Sequence, residues 1–283
     1  MSIRVLAIGD IVGRPGRTVV AEKLPGLVRQ HRVDLVIANG ENIAGGSGIT
    51  TNLFNKLRAY GVDVVTLGDH AFKKGDIIQT LGRSERIVRP ANLSRHAAGR
   101  GYTVVETANG VRVGVVCVLG RVLVPTMQAS DPFEAIERAL SDMPRTQLVI
   151  IEVHAEVTGE KAAIAHWLDS RPETKCALVY GTHTHVATAD ARVLPGGVAF
   201  ISDLGMTGPH DSILGRRKDM VVRTMSTNMP HPYDVATGEA RLCGIVAELD
   251  EKTGHAISIE RIEVAGSSVH PAYDADDHAK PRE

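Results

Sequence analysis

The stretch IRVLAIG, residues 3–9, is an apolar run interrupted only by Arg4 and closed by glycine, with Asp10 directly behind it. Such a run is too short for a buried helix and reads as a buried strand. RTVVAEKLPGLVRQH (17–31) follows with apolar spacing suited to a helix, and Pro25 predicts a kink or break in it. The pattern then repeats. VDLVIANG (33–40) is a second strand, ITTNLFNKLRAYG (49–61) a capped helix closed by Gly61, and VDVVTLGDH (62–70) a third strand. Strand–helix–strand repetition with fully apolar strands predicts an α/β fold around a buried sheet.

Further along, GYTVVETANGVRVGVVCVLG (101–120) holds two runs separated by Asn109-Gly110, a strong hairpin signal. Alternation resumes at TQLVIIEVH (146–154), GEKAAIAHWLDS (159–170) and KCALVYG (175–181). ARVLPGGVAFIS (191–202) and RLCGIVAELDEKTGHAISIERIEV (241–264) read as hairpins, and 207–238, rich in Gly, Pro and Met, as a long ordered loop. This mixture predicts two packed sheets with helices outside. With no internal repeat or clear linker, one domain is expected over 1–266, followed by a mobile polar tail, 267–283.

The chain has 283 residues and a net charge of −1, which is ample for a core and gives no field that would draw nucleic acid or an anionic membrane. Aromatics make up 4%, too few for a single-strand stacking surface. No run reaches the roughly 18 apolar residues of a membrane span. Met1-Ser2-Ile3-Arg4 leads straight into a strand without a signal-peptide layout. Cys117, Cys176 and Cys243 are scattered in apolar surroundings, as buried free thiols in a reducing compartment would be. The expectation is a soluble, cytoplasmic protein.

In α/β sheets, ligands bind beyond the carboxyl ends of the strands. Those ends carry Asp10, Glu41 and Asn42, Asp69 and His70, His154, and then His183 and His185 in GTHTHVATAD (181–190). Each segment has the same form: an apolar strand, a small residue, a polar group. Taken singly, Asp10 could cap a helix, Glu41-Asn42 could start a turn, and His154 could be a hydrogen-bonded structural residue. On an extended segment His183 and His185 face the same way, because side-chain direction repeats every two residues. Carboxylate, amide and imidazole groups converging from several strands are what a hydrolytic metal site needs. AGGSGIT (44–50) lacks the ending of a phosphate loop, Gly9, Gly13 and Gly16 do not space as a dinucleotide fingerprint, and no G-x-S-x-G elbow is present.

The blocks GDIVG, GEN, GDH, a lone His and GTHTH resemble those of calcineurin-like metallophosphoesterases. GDIVGRPGR, ANGENIAGGSGIT, RPAN, HAEVTGEK, GTHTHVATAD and DLGMTGPHDSILG are more closely similar to the bacterial YmdB-type branch, over roughly residues 3–265. The resemblance implies a four-layer α/β/β/α sandwich of two mixed sheets with flanking helices. It also implies two transition-metal ions per chain, iron or manganese, and phosphodiesterase or phosphatase activity on small phosphate esters. Cyclic nucleotides, above all 2′,3′-cyclic ones, are the substrates it points to, and homo-oligomers occur in the branch. By motif, one metal falls to Asp10, Glu41, Asn42 and His185, and the second to Glu41 as a bridge with Asp69, His154 and His183. A metal-bridged hydroxide would attack phosphorus, with His70 as general acid. A phosphomonoesterase, or a metal-binding regulatory protein with incidental turnover, is the alternative.

Three departures from the branch stand out. Asp69 replaces the usual Asn before the catalytic His, Glu152-Val153-His154 replaces Asp-Phe-His, and Ala71-Phe72-Lys73-Lys74 replaces an aromatic followed by an acid. Elsewhere, Glu160 and Lys161 read as solvated surface, Trp167 as core, His166 as surface, and Asn92 as either a turn residue or a substrate contact. Gly205, Met206, Thr207 and Gly208 read as part of a site wall.

Overall fold

Strand β1 (Ser2–Ile8) serves two cores at once, because successive side chains point to opposite faces. Ile3, Val5 and Ala7 enter a core between two sheets, whereas Leu6 and Ile8 enter one beneath helices. The structure, a computed structural model, describes residues 2–124 and 127–267. After β1 come α1 (Gly13–His31), β2 (Leu35–Asn39), α2 (Thr51–Tyr60), β3 (Val64–Thr66), α3 (Ile77–Arg83) and β4 (Ile87–Val88). The hairpin β5 (Tyr102–Glu106) and β6 (Arg112–Leu119) opens a second unit, continued by α4 (Pro132–Asp142), β7 (Leu148–His154), α5 (Thr158–Asp169), β8 (Cys176–Thr182), β9 (Arg192–Val193) and β10 (Ala199–Ile201). The chain then returns through β11 (Gly208–Pro209), α6 (Lys218–Thr227), β12 (Ala240–Asp250) and β13 (Ala256–Ala265).

Among the described residues the strands form a seven-stranded sheet, β11-β12-β1-β2-β3-β4 with β13 on β12, and a six-stranded sheet, β5-β6-β7-β8-β10-β9. Both are mixed. β1 to β4 run parallel and β12 is antiparallel to β1; β6, β7, β8 and β10 run parallel, with β5 and β9 antiparallel at the edges. Three apolar clusters separate the layers. One lies under α1, α2 and α3, one between the sheets, and one under α4 and α5. That is the α/β/β/α order expected from the sequence.

Local chemistry sets the helix ends. Thr50 accepts the Leu53 amide as cap of α2, a contact worth about 1 kcal/mol. Gly61 closes that helix at φ 105°. Two expectations need correction. Helix α1 starts at Gly13 and continues through Pro25 to His31, because a buried stripe of Val19, Val20, Leu24 and Leu27 outweighs the lost proline hydrogen bond. The 207–238 region is not all loop, since it contains β11 and α6; α6 buries only Val221 and so shows no apolar stripe. The hairpins at 101–120, 191–202 and 241–264 are present. The three cysteines are free and buried. The polar tail lies, from residue 268 onward, outside the described residues; Ser267 itself bonds to Glu22. Among the described residues no helix is long and apolar enough to cross a membrane.

Candidate metal centre

The parallel strands of both sheets end at one place. The first sheet delivers carboxylates, an amide and one imidazole: Asp10 after β1, Glu41 and Asn42 after β2, Asp69 and His70 after β3. The second delivers imidazoles: His154 as the last residue of β7, then His183 and His185 after β8. Asp10, Glu41, Asn42, Asp69 and His154 are buried, and His70 is half-buried.

Glu41, Asp69, His154 and His183 each place a donor atom within 4.8 Å of the others. His154 Nε2 lies 3.3 Å from Glu41 Oε1, 3.2 Å from Asp69 Oδ1 and 3.0 Å from His183 Nδ1. On the other side of Glu41, Asn42 Nδ2 donates to Glu41 Oε1 at 3.2 Å and lies 3.2 Å from His185 Nε2. His185 Nε2 is 3.7 Å from Asp10 Oδ1, a buried oxygen with no hydrogen-bond partner among the described residues. All seven residues expected from the sequence thus meet in two adjoining groups, and Glu41 touches both. One detail differs from expectation: Asn42 turns its amide nitrogen, not its oxygen, toward Glu41 and His185. Its Oδ1 instead pairs with His70 Nδ1 at 2.8 Å, so metal ligation by Asn42 requires that amide to turn over.

Each imidazole is oriented by its far nitrogen. His154 Nδ1 meets Thr182 Oγ1 at 2.9 Å, and that hydroxyl donates to Glu152 Oε1 at 2.8 Å. A hydroxyl has one proton to give, so here it accepts from His154 and leaves Nε2 facing the carboxylates. Glu152 also accepts from Asn39 Nδ2 (2.7 Å) and the Tyr180 hydroxyl (3.0 Å). His183 Nε2 faces Glu156 Oε2 at 3.3 Å, and His185 Nδ1 donates to the Leu214 carbonyl at 3.1 Å. Orienting partners of this kind accompany metal-binding histidines.

The charges reinforce one another. Burial would raise the Glu41 and Asp69 carboxyls, but the His154 imidazole outweighs it at both, with His70 adding at Glu41 and His183 at Asp69; both stay well below the usual carboxylate range. Burial would lower His154, but Glu41 and Asp69 outweigh it and hold the imidazole well above its usual value. A protonated imidazole there occupies the place of a cation. Burial pushes the Glu152 carboxyl up, against hydrogen bonds from Thr66, Asn39 and Thr182 that lower it.

Several sequence readings change. The GTHTH segment is not extended past Thr182: His183 and His185 have φ of 94° and 65°. The two rings therefore diverge toward different groups instead of sharing one face. Lys161 is not solvated; it is buried and bonded to Asp203 at 2.7 Å. Glu160 accepts from the Arg121 amide, and Asn92 clamps the Leu119 and Ser130 backbone. Trp167 is only half-buried, edge-on to Phe133, whereas His166 is exposed, as expected. The 205–208 segment braces Asp10, whose carbonyl accepts from Thr207 N. Asp203 and Glu156 went unnoticed in the sequence, although ISDLG after β10 repeats the strand-then-acid form of the ligand segments.

Two mixed sheets packed face to face, with carboxylates and imidazoles gathered where their parallel strands end, define a phosphatase fold of the metallophosphoesterase kind. The sequence model of the family described as YmdB-like protein matches residues 6–262, and the chain belongs to that family. It is 40% identical over 261 residues to a 2′,3′-cyclic-nucleotide 2′-phosphodiesterase of Bacillus subtilis (strain 168), covering 92% of this chain and 96% of that one. A crystal structure titled as a novel phosphatase from Mycoplasma pneumoniae superposes with a TM-score of 0.86 at 31% identity, covering 94% of both chains. A hypothetical protein from Thermus thermophilus superposes with a TM-score of 0.84 at 39% identity, covering 93% of this chain and 99% of that one.

Proposed function

We propose that the chain is a two-metal phosphodiesterase that opens 2′,3′-cyclic nucleotides at the 2′ ester. The observation that carries this is the four-donor group of Glu41, Asp69, His154 and His183, continued through Glu41 to the unpartnered Asp10 oxygen. Buried carboxylate oxygens and imidazole nitrogens suit iron or manganese. Asp10, Glu41, Asn42 and His185 would hold one ion; Glu41, Asp69, His154 and His183 the other. Bound there, the ions supply Lewis acidity and lower the pKa of water.

The protein's own groups do the rest. Glu41 sets the spacing of the two groups, and the Thr182–Glu152 relay keeps His154 Nε2 aimed at Asp69. The His70 backbone amide donates to Glu41 Oε2 at 3.0 Å, which keeps the residue at the rim also when the Asn42 amide turns away from its contact with Nδ1. Burial lowers the His70 imidazole, but the Glu41 carboxylate beside it outweighs this and raises its pKa. A half-buried imidazole at the rim, once protonated, is suited to give a proton to a departing ribose oxygen. The 2′ ester is the bond named for the Bacillus relative. The buried free thiols suit a reducing, cytoplasmic setting.

His70→Ala is expected to keep its metal and to lose at least about tenfold in kcat on a cyclic nucleotide, as removal of a general acid does. Native turnover on a poor leaving group would remove His70 from that role. For the activity itself, one preparation assayed on 2′,3′-cyclic, 3′,5′-cyclic and monoester nucleotides should favour the first and release the 3′-phosphate. A preference for the monoester would make the chain a phosphomonoesterase instead.

A further inference from the structure

His183 and His185 both occupy backbone conformations with positive φ, 94° and 65°, which residues other than glycine adopt uncommonly. One layer behind the site, buried polar groups contact the segment between them. Thr184, between the two histidines, donates its amide and its hydroxyl to Asp203 Oδ2, at 3.2 Å and 2.9 Å. The same oxygen accepts from Lys161 Nζ at 2.7 Å, and Lys161 donates again to the Thr182 carbonyl at 2.8 Å. Asp203 Oδ1 is taken by the Gly205 amide at 2.8 Å. The Lys161 and Asp203 side chains are 1% and 2% exposed. A Cβ at Gly181 would fall 1.8 Å from the Ser202 carbonyl oxygen and 2.5 Å from Lys161 Cδ, so glycine there admits both the neighbouring strand end and the lysine.

A buried ion pair is a weak source of net stability, since desolvation offsets much of the attraction. Among the described residues neither side chain hydrogen bonds to any of the seven proposed ligands. What the pair does is grip both ends of the turn: the Thr182 carbonyl before His183, and Thr184 before His185. We infer that Lys161 and Asp203 are positioning residues that hold the strained Thr182–Thr184 turn, so that His183 Nδ1 and His185 Nε2 point to separate metal positions. This rests on the metal-site reading above.

The test is Mn²⁺ titrated into metal-free full-length protein by calorimetry, alongside melting temperature, for Thr184→Val, Asp203→Asn and the control Asp169→Asn. Thr184→Val removes the hydroxyl, which donates to Asp203 and accepts from the Val186 amide at 3.5 Å, and keeps the side chain's volume. Asp169 anchors the Gly196 and Val198 amides at another loop and is not one of the proposed ligands. Loss of an orienting partner weakens metal binding by about 10–100-fold. We expect that range for Asp203→Asn, a loss of at least about threefold for Thr184→Val, and less than about threefold for Asp169→Asn even where its melting temperature falls as far. Binding within about threefold of native in both turn variants overturns the inference. If Asp203→Asn fails to fold, Thr184→Val decides alone. Absence of Mn²⁺ binding by the native protein would instead overturn the metal reading itself.

Discussion

Glu41→Gln is expected to lower kcat on the order of 10³-fold and to leave the protein unable to retain either metal ion. Glutamine keeps the shape of Glu41 but removes the charge that both groups share. Glu41 Oε1 lies 3.3 Å from His154 Nε2, 3.4 Å from His70 Nδ1 and 3.2 Å from Asn42 Nδ2, so it faces both groups at once. A unit charge pair at 4 Å is worth about 4 kcal/mol at an effective dielectric of 20. A bridging carboxylate makes two such pairs, and desolvation offsets a large part of both. The several kcal/mol that remain correspond to about three powers of ten, at 1.36 kcal/mol each. The checks are metal content after reconstitution and kcat, with circular dichroism to show a native fold. A variant with full metal content and turnover within about tenfold of native would show that Glu41 does not bridge.

Gly68→Ala is expected to damage the site almost as much without replacing any of the proposed ligands. An alanine Cβ at residue 68 would lie 2.3 Å from His154 Cδ2 and Nε2 and 2.4 Å from Glu41 Oε2. Neither neighbour can step aside cheaply. His154 is buried and pinned through Thr182, and Glu41 Oε2 accepts the His70 amide. His154 or Glu41 must therefore move by about 1 Å, a displacement that costs about 10²-fold in rate when reacting groups are misplaced. Overpacking of this kind also destabilises by about 1–3 kcal/mol. Gly75→Ala is the control, because a Cβ there meets nothing within 4 Å. Native kcat in Gly68→Ala would mean that the site tolerates a shift this geometry forbids.

The strands β1, β2, β3, β7 and β8 were legible because each is a short apolar run closed by a small or polar residue, and both faces of each sheet are covered. The residues proposed as ligands were placed for the same reason, since they stand where those runs stop. Helix α6 was not legible because it buries only Val221 and so leaves no stripe. The sequence patterning left α3 and α4 unassigned, although α4 carries its own start signal in Asp131, which accepts the Phe133 and Glu134 amides. The turn at His183 and His185 was misread because a left-handed backbone is uncommon at residues other than glycine. Its partner Asp203 lies 19 residues further along the chain from Thr184. Lys161 was misread as surface for a related reason: its partner lies 42 residues away in sequence, and a lone lysine on a helix is ordinarily solvated.

The central claim is that these strand ends hold metal. Elemental analysis of native protein purified without chelator, repeated after reconstitution with Mn²⁺ or Fe²⁺, tests it most directly. The account predicts about two transition-metal ions per chain, as in two-metal hydrolytic sites, with turnover of a 2′,3′-cyclic nucleotide rising and falling with that content. Less than about one ion per chain after reconstitution, or turnover that persists once the metal is stripped, would contradict it.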